Sequence, residues 1–232
     1  MADDVPSDRP VDVWTGPLID QPAELSVVAS EAPWRGRVIS IRSDTLTIAG
    51  ATVRRDIVVH PGAVGIVAVN DADEVLLIRQ LRVPAGSFLF EPPAGLLDKP
   101  AEDPLVAAQR ELLEEAGLVA RDWHTLVDAY LSPGGSTEAV RIYLARGVTA
   151  APAGRPWTGE AEEFDLPHVW VPLDEACEAV LAGAIGSPMA VMGVLAAARA
   201  RDEGWVRLRP PTAPWPARAH LAAIGNLPAD QS

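Results

Sequence analysis

The sequence predicts an α+β protein built on a mixed β-sheet sandwich. Short apolar or alternating segments of the kind found in strands fill much of the first half of the chain. One helix near the middle has clear start and stop signals, and two further helices follow later. The resulting order of strands, helix, strands and helices is typical of layered folds that combine a sheet with helices.

The composition is that of an ordinary globular protein. The chain has 232 residues, of which 48% are hydrophobic and 22% charged. Its formal net charge of −13 disfavours general binding to nucleic acid or to an anionic membrane. The single cysteine, Cys177, excludes an internal disulfide, and the first residues do not resemble a secretion signal. We therefore expect a cytoplasmic protein without nucleic-acid or membrane partners.

The two ends of the chain are expected to differ from its centre. Residues 1–34 are predicted to be a flexible arm, followed by an N-terminal β-region at 35–62. Within that region, alternation around Ser43 and Asp44 predicts a hairpin that turns there, and residues 57–59 predict a third strand. The main domain is assigned to 63–205, before a proline-rich tail at 206–232 in which no long regular element is expected.

Apolar runs mark the central strands. Residues 63–69 form a continuous apolar run, which predicts a strand buried on both faces. Residues 70–73 predict a turn from which a strand at 74–79 returns. Three later segments have the same strand character, at 123–130, 140–145 and 168–171.

Three helices are predicted from their end signals. Asp103 can cap the first helix, Pro104 occupies its first position, and Gly117 ends it. Two further helices are predicted at 174–181 and 187–201, each capped by its first residue.

The first helix concentrates three carboxylates on one face. At 100° per residue, Glu111, Glu114 and Glu115 lie within about 100° of one another, whereas Leu112 lies on a different face. Like charges at this spacing repel each other, and they lie at the unfavourable end of the helix dipole. A hard divalent cation such as Mg²⁺ or Mn²⁺ would relieve both penalties. On this helix alone, a solvated acidic face remains the alternative.

The residues around this helix resemble the Nudix box, which reads Gly, five residues, Glu, seven residues, then Arg-Glu-apolar-x-Glu-Glu-x-Gly-apolar. Here Gly95 is followed by Glu102 and then by residues 110–118 in the register of the box. The one departure is an extra residue between Gly95 and Glu102, in the loop before the helix. The resemblance covers about residues 35–205. It implies the Nudix fold, a mixed β-sheet α/β/α sandwich with an N-terminal antiparallel β-region.

Nudix hydrolases use divalent metals to cut a nucleoside diphosphate linked to another moiety. By similarity, Glu111 and Glu115 are the principal metal ligands, Glu114 assists them, and the carbonyl of Ala94 adds a further ligand. The resemblance also implies that Arg110 orients a glutamate through charge-assisted hydrogen bonds. Mg²⁺ is the expected cofactor, and Mn²⁺ is a possible substitute.

A finer resemblance points to the ADP-ribose pyrophosphatase subgroup. Residues 91–98 are similar to that subgroup's Glu-Leu-Pro-Ala-Gly-Leu-Leu-Asp. Pro133 lies 15 residues past Leu118, at the position of a proline associated with ADP-ribose specificity. This likeness implies Mg²⁺-dependent hydrolysis of ADP-ribose to AMP and ribose 5-phosphate. It also implies a homodimer that exchanges N-terminal strands.

The catalytic base of this subgroup comes from a mobile loop after the box. Glu163, in the acidic segment 160–165, aligns with that base and with a metal ligand, and Glu162 is the reserve. Glu138 is the other candidate, although the resemblance places it at the terminal ribose. A solvated acidic loop is the alternative for the segment. The catalytic set is therefore Glu163, Glu115 and Arg110.

Substrate anions require cations, and Arg82 can pair with a diphosphate as a planar fork. Arg54 and Arg55 are further candidates for contacts with the nucleotide, whereas Phe90 is expected in the core. The substrate-binding candidates are Arg55, Arg82, Gly95, Pro133, Gly134 and Glu138.

Three other functions remain open at this point. The same chemistry could act on another nucleoside diphosphate sugar or on a dinucleotide. A ligand sensor that has lost catalysis is a second alternative, which the intact glutamates disfavour. A divalent-cation buffer is the third, and it leaves Arg110, Gly95 and the loop at 132–136 unexplained.

Overall fold

The computed structural model describes residues 13–156 and 167–228. Within these ranges the chain forms ten strands, four α-helices and one short 3-10 turn at Val83–Ala85. The strands are β1 (Ser26–Arg35), β2 (Ser40–Ile48), β3 (Ala51–Val59), β4 (Ala63–Ala68), β5 (Glu74–Arg82), β6 (Ser87–Glu91), β7 (Ala94–Leu96), β8 (Leu118–Tyr130), β9 (Ala139–Ala150) and β10 (His168–Pro172). The helices are α1 (Pro104–Ala116), α2 (Leu173–Leu181), α3 (Pro188–Asp202) and α4 (Pro216–Ala223). None of these helices has the length and apolar character that a membrane span requires.

The described strands form three sheets. The first is antiparallel with the order β1-β2-β3, and the second is antiparallel with the order β10-β5-β6. The third has the order β7-β4-β9-β8, in which β4 and β9 run parallel and the other pairs run antiparallel. The prediction of a mixed sheet with an N-terminal antiparallel region is confirmed.

Helices cover both faces of the third sheet and enclose two hydrophobic cores. Val64 of β4 lies in one core with Leu112 of α1. On the opposite face of the strand, Val67 lies in the other core with Val194 of α3. Successive side chains of a strand point to opposite faces, so one strand serves both cores. All six residues of β4 are buried, which confirms the predicted buried strand and the α/β/α sandwich.

The helix that carries the glutamates has the predicted ends. The side chain of Asp103 accepts a hydrogen bond from the N–H of Leu105 at 2.8 Å, and Pro104 is the first helical residue. Gly117 ends the helix with φ of 66°, a left-handed conformation that favours glycine. These local signals place α1 as the sequence predicts.

The hairpin predicted at Ser43 and Asp44 is wrong. Both residues are buried in the middle of β2, and the chain turns at residues 49–50 instead. Asp44 accepts a hydrogen bond from Ser30 Oγ of β1 at 2.6 Å and lies 3.0 Å from Arg42 Nε. Ser43 in turn donates to Asp56 of β3, so the adjacent strands β1 and β3 satisfy polar side chains that usually favour a turn.

The structure also differs from expectation near both ends. Residues 26–35 form β1, so strand pairing extends into the segment predicted as an arm. The proline-rich tail contains α4, where Pro216 occupies the first helical position and its missing N–H removes no helix bond. Trp215, 8% exposed, joins the core beside α1. The division of the chain into domains stays a prediction.

Two smaller predictions about side chains are wrong. Asp174 does not cap α2, because this helix begins at Leu173 and Asp174 lies in its first turn, paired with Arg201. Phe90 is 36% exposed on β6 and does not belong to the core. Ser187 does occupy the position before α3, as predicted.

Candidate active site

A cavity of about 580 Å³ opens beside β7 and the first turn of α3. Its volume lies within the range of sites that bind small organic ligands. Four residues predicted to act on metal or substrate line it: Ala94, Gly95, Arg82 and Glu138. The elements around this cavity therefore bring together residues that are far apart in the sequence.

The absence of a side chain at Gly95 lets a carboxylate of α1 reach β7. A Cβ atom at this position would lie 2.1 Å from Cδ of Glu111, which is an impossible approach. Next to it, Glu115 Oε2 accepts a hydrogen bond from the N–H of Ala94 at 2.8 Å. Glu111 and Glu115 are only 9% and 4% exposed, so these two carboxylates do not form a solvated acidic face.

The guanidinium of Arg110 forms hydrogen bonds with three carboxylates of the predicted box. Its Nε and Nη2 each lie 2.9 Å from an oxygen of Glu102, and its Nη1 lies 2.5 Å from Glu111 and 2.8 Å from Glu114. Bidentate, charge-assisted hydrogen bonds of this kind are strong. The bond to Glu102 raises the pKa of Arg110, and Arg110 lowers the pKa of Glu102. The extra residue in the preceding loop therefore leaves this pairing intact.

Two side chains from outside α1 bind its C-terminal carbonyl groups. Arg155 Nε donates a hydrogen bond to the carbonyl of Glu114 at 2.6 Å. His168 Nε2 lies 2.7 Å from the carbonyl oxygen of Glu115, which requires that this nitrogen carries the proton. The last carbonyls of a helix have no partner inside it and carry partial negative charge. These contacts hold the turn from which Glu114 and Glu115 project.

Arg82 reaches the cavity while its guanidinium is held by Glu91. The Nε atom of Arg82 lies 3.1 and 3.0 Å from the two carboxylate oxygens of Glu91, and Nη2 also contacts that carboxylate. The hydrogen bond to Glu91 raises the pKa of Arg82, with smaller contributions from the negative charges of Glu115 and Glu138. The guanidinium is thus an oriented cation in a region of acidic side chains.

His60 is a cavity residue that the sequence analysis did not select. Its Nδ1 accepts a hydrogen bond from the N–H of Gly62 at 3.0 Å, and its Nε2 lies 3.8 Å from Oε1 of Glu138. Burial lowers the pKa of His60, although Glu138 acts in the opposite direction. No spacing in the sequence signals this residue, because four strands, the helix α1 and a fifth strand separate it from its partner along the chain.

The other predicted residues are not among those that line the cavity in the described part of the chain. Arg55 is exposed on β3 and donates from Nη1 to the carbonyl of Arg54 at 2.9 Å. Pro133 and Gly134 lie on an exposed turn. The predicted base, Glu163, and its reserve, Glu162, lie outside the described residues.

The donors around α1 match the chemistry of a hard divalent cation. The carboxylates of Glu111, Glu114 and Glu115 and the carbonyl of Ala94 supply oxygen ligands, which Mg²⁺ prefers. Among residues 13–156 and 167–228, no three His, Cys, Asp or Glu side chains are arranged around one ion position. In this structure Arg110 engages Glu111 and Glu114 instead. These oxygen atoms are therefore suitable ligands for such a cation. In this structure the side chains of Glu111 and Glu114 are arranged around the guanidinium of Arg110.

The fold and the glutamate-rich helix define a class of protein, and similarity to known protein families identifies that class. Residues 59–189 match the NUDIX domain family, and the chain therefore belongs to this family. The predicted family and its sandwich fold are confirmed.

Individual relatives are similar over most of their length. The chain is 40% identical to an ADP-ribose pyrophosphatase of Mycobacterium tuberculosis (strain ATCC 25618 / H37Rv), over 83% of this chain and 91% of that protein. It is 34% identical to a methanol dehydrogenase activator of Bacillus methanolicus, over 67% of this chain and 82% of the relative. A solved structure of an ADP compounds hydrolase matches with a TM-score of 0.66 and 25% identity, over 82% of this chain and all of that one.

Proposed function

We propose that this member of the Nudix family hydrolyses the pyrophosphate bond of ADP-ribose and releases AMP and ribose 5-phosphate. The observation that carries the proposal is the contact of the buried Glu111 and Glu115 carboxylates with β7, at the wall of a cavity that Arg82 enters. The similarity to an ADP-ribose pyrophosphatase and to an ADP compounds hydrolase supports this choice of substrate.

The chain's contribution begins with the placement of negative oxygen ligands. Glu111, Glu114, Glu115 and the carbonyl of Ala94 would hold a divalent cation, for which we propose Mg²⁺. Such a cation supplies positive charge that neutralises the diphosphate and lowers the pKa of a bound water. Because α1 is a rigid element fixed at both ends, it holds these carboxylates at constant spacing.

Two arginines then act on charge and orientation. Arg110 orients Glu111 and Glu114 through its shared Nη1 atom. Arg82 binds the diphosphate, which carries charge of the opposite sign. Its pairing with Glu91 restricts the guanidinium before substrate arrives, so binding costs less side-chain entropy.

Glu163 is proposed to take the proton from the attacking water. The described residues on either side of its segment support this role, because Arg155 and His168 both bind the last turn of α1. That turn carries two of the proposed metal ligands, Glu114 and Glu115.

The proposed role of Glu163 as the catalytic base can be tested by substitution. Glu163→Gln should lower kcat at least tenfold with little change in KM, because the amide cannot accept the proton. Glu162→Gln is the matched control and should retain activity. Steady-state kinetics with ADP-ribose decide the question: a silent Glu163→Gln beside an inactive Glu138→Gln would move the base to Glu138.

The function itself is tested with purified protein, Mg²⁺ and a panel of ADP-ribose, other nucleotide sugars and dinucleotides, with products separated by chromatography. We expect selective release of AMP from ADP-ribose, and loss of activity when a chelator is added. Preferred turnover of another compound would retain the chemistry and change the substrate. Absence of turnover with Mg²⁺ and with Mn²⁺ would favour a ligand sensor.

In the same assay, Glu115→Gln should reduce kcat/KM by about 100-fold or more, because a neutral amide is a poor ligand for a divalent cation. The fold should remain, since the amide oxygen can still accept from the N–H of Ala94. Glu178→Gln, on the exposed face of α2, is the matched control and should behave as wild type. Near-normal activity of Glu115→Gln would contradict the proposed ligand set.

We also propose that the protein is a homodimer in the cytoplasm. All ten residues of β1 are exposed at the edge of its sheet, among them Val27, Val28 and Trp34. Unpaired strand edges with apolar side chains are usually covered in the assembled protein. Analytical ultracentrifugation tests this point, and a purely monomeric profile would contradict it. The single cysteine is compatible with a reducing compartment.

A further inference from the structure

We infer that His60 and Glu138 form a hydrogen-bonding pair that binds a ribose hydroxyl of the substrate, with His60 as the donor. The inference rests on the proposed function and extends it to the recognition of the sugar. Both side chains line the cavity, and their facing atoms, Nε2 and Oε1, are 3.8 Å apart.

The structure determines which nitrogen of His60 can donate. The backbone N–H of Gly62 donates to Nδ1 at 3.0 Å, so Nδ1 must present its lone pair. The proton of the neutral ring is therefore on Nε2, the nitrogen that faces Glu138.

The backbones of the two residues are tied to each other through Thr137. The N–H of His60 donates to Oγ1 of Thr137 at 2.9 Å, and this hydroxyl lies 3.3 Å from the carbonyl of His60. On the other side, the N–H of Glu138 donates to Oγ of Ser136 at 3.1 Å, and its carbonyl accepts from the N–H of Leu131 at 3.1 Å. These bonds fix the spacing between the donor and the acceptor before any ligand arrives.

The spacing and the charges favour a hydroxyl over a phosphate. At 3.8 Å the two groups are too far apart for a good direct hydrogen bond, but an oxygen atom can lie about 2.8 Å from each of them. A hydroxyl can accept from Nε2–H and donate to the carboxylate at the same time. A phosphate oxygen can only accept, and the negative charge of Glu138 repels it.

The position beside Arg82 makes this hydroxyl part of a sugar next to the diphosphate. Glu138 and Glu115 are both close enough to Arg82 to raise its pKa. A diphosphate bound at Arg82 and α1 therefore places an attached ribose within reach of the pair. ADP-ribose has two such riboses, the terminal one and that of adenosine, and the experiment distinguishes them.

The experiment compares wild-type protein, His60→Ala, His60→Gln and the control His220→Ala on three substrates. These are ADP-ribose, an analogue without the terminal ribose hydroxyls, and an analogue without the adenosine ribose hydroxyls. His60→Ala should raise KM for ADP-ribose about tenfold and change kcat by less than about twofold. His60→Gln keeps an N–H donor and should restore part of the affinity. His220, on α4, does not line the cavity, and its variant should behave as wild type.

The analogues identify the hydroxyl. On the analogue that lacks the bound hydroxyl, wild-type protein should already have the raised KM, and His60→Ala should add nothing further. On the other analogue the tenfold effect should persist. An equal increase of KM on all three substrates would assign His60 a structural role and overturn the inference, as would an effect on kcat alone. Thermal unfolding of each variant verifies that it is folded.

A failure of the proposed function has a different signature. If wild-type protein does not hydrolyse ADP-ribose, calorimetry with ADP-ribose in the presence of EDTA still measures binding. About tenfold weaker binding by His60→Ala would then support the inference without the activity. Equal binding by the two proteins, or no binding by either, would overturn it.

Discussion

At the scale of single residues, the site depends on two close approaches between residues that are distant in the sequence, Glu111 to Gly95 and His60 to Glu138. Gly95, Arg110 and the glutamates of α1 belong to one continuous pattern in the sequence. The close approach of Glu111 to Gly95 then gives the physical reason for glycine at that position. The role of His60 depends on Glu138, which only the folded chain brings near it.

The pKa of His60 predicts how stability responds to pH. Burial lowers this pKa in the folded state below its ordinary value of 6.5. As pH falls through 6.5, the unfolded chain takes up a proton before the folded protein does, so the free energy of unfolding should decrease. Urea unfolding of wild type and His60→Gln at pH 7.5 and pH 5.5 measures the effect. The variant should lose less stability on acidification, and an identical loss in both proteins would contradict the assignment to His60.

At the scale of single elements, α1 combines local and distant determinants. Its start at Asp103 and Pro104 and its end at Gly117 follow from capping rules that involve neighbouring residues only. The side chains that bind its last carbonyls, Arg155 and His168, come from segments far along the chain, and no local rule predicts them. The direction of the glutamates thus depends on both.

Removal of one of these distant contacts should affect stability and activity together. Arg155→Ala leaves the carbonyl of Glu114 without this donor, which should lower the free energy of unfolding by about 1–2 kcal/mol. It should also lower kcat, because fraying of the last turn displaces Glu114 and Glu115. Urea unfolding and steady-state kinetics provide the two measurements. Arg121→Ala, an exposed arginine of β8, is the control and should unfold as wild type does, because exposed ion pairs contribute little to stability. Activity that survives a loss of stability in Arg155→Ala would separate the two effects and contradict the positional argument.

For the molecule as a whole, the segment before α4 packs against the central sheet. Arg141, buried on β9, donates to the carbonyls of Ala213 at 2.7 Å and Pro214 at 3.0 Å, and it pairs with Asp128 at 2.7 Å. The guanidinium of Arg141 also lies 4.8 Å from the ring centre of Trp215. These contacts attach the segment before α4 to the central sheet, although its composition suggested a tail.

Trp215 should therefore contribute strongly to stability. Trp215→Ala removes a large buried side chain from the core beside α1, and we expect a loss of about 3–5 kcal/mol in the free energy of unfolding. Val206→Ala, in the same segment but exposed, should change it by about 0.5 kcal/mol or less. Chemical denaturation compares the two, and a small effect of Trp215→Ala would show that the segment is dispensable for the fold.

Features that depend only on neighbouring residues can be predicted from the amino-acid sequence. The ends of α1 follow from capping, the buried strand β4 follows from a continuous apolar run, and the shared face of three glutamates follows from helical periodicity. Three other features follow from long-range contacts: the course of β2 through Ser43 and Asp44, the burial of Trp215 and the pairing of His60 with Glu138. Polar and aromatic side chains take the conformation that satisfies their hydrogen bonds and packing. In these three cases the partners come from parts of the chain that only folding brings together.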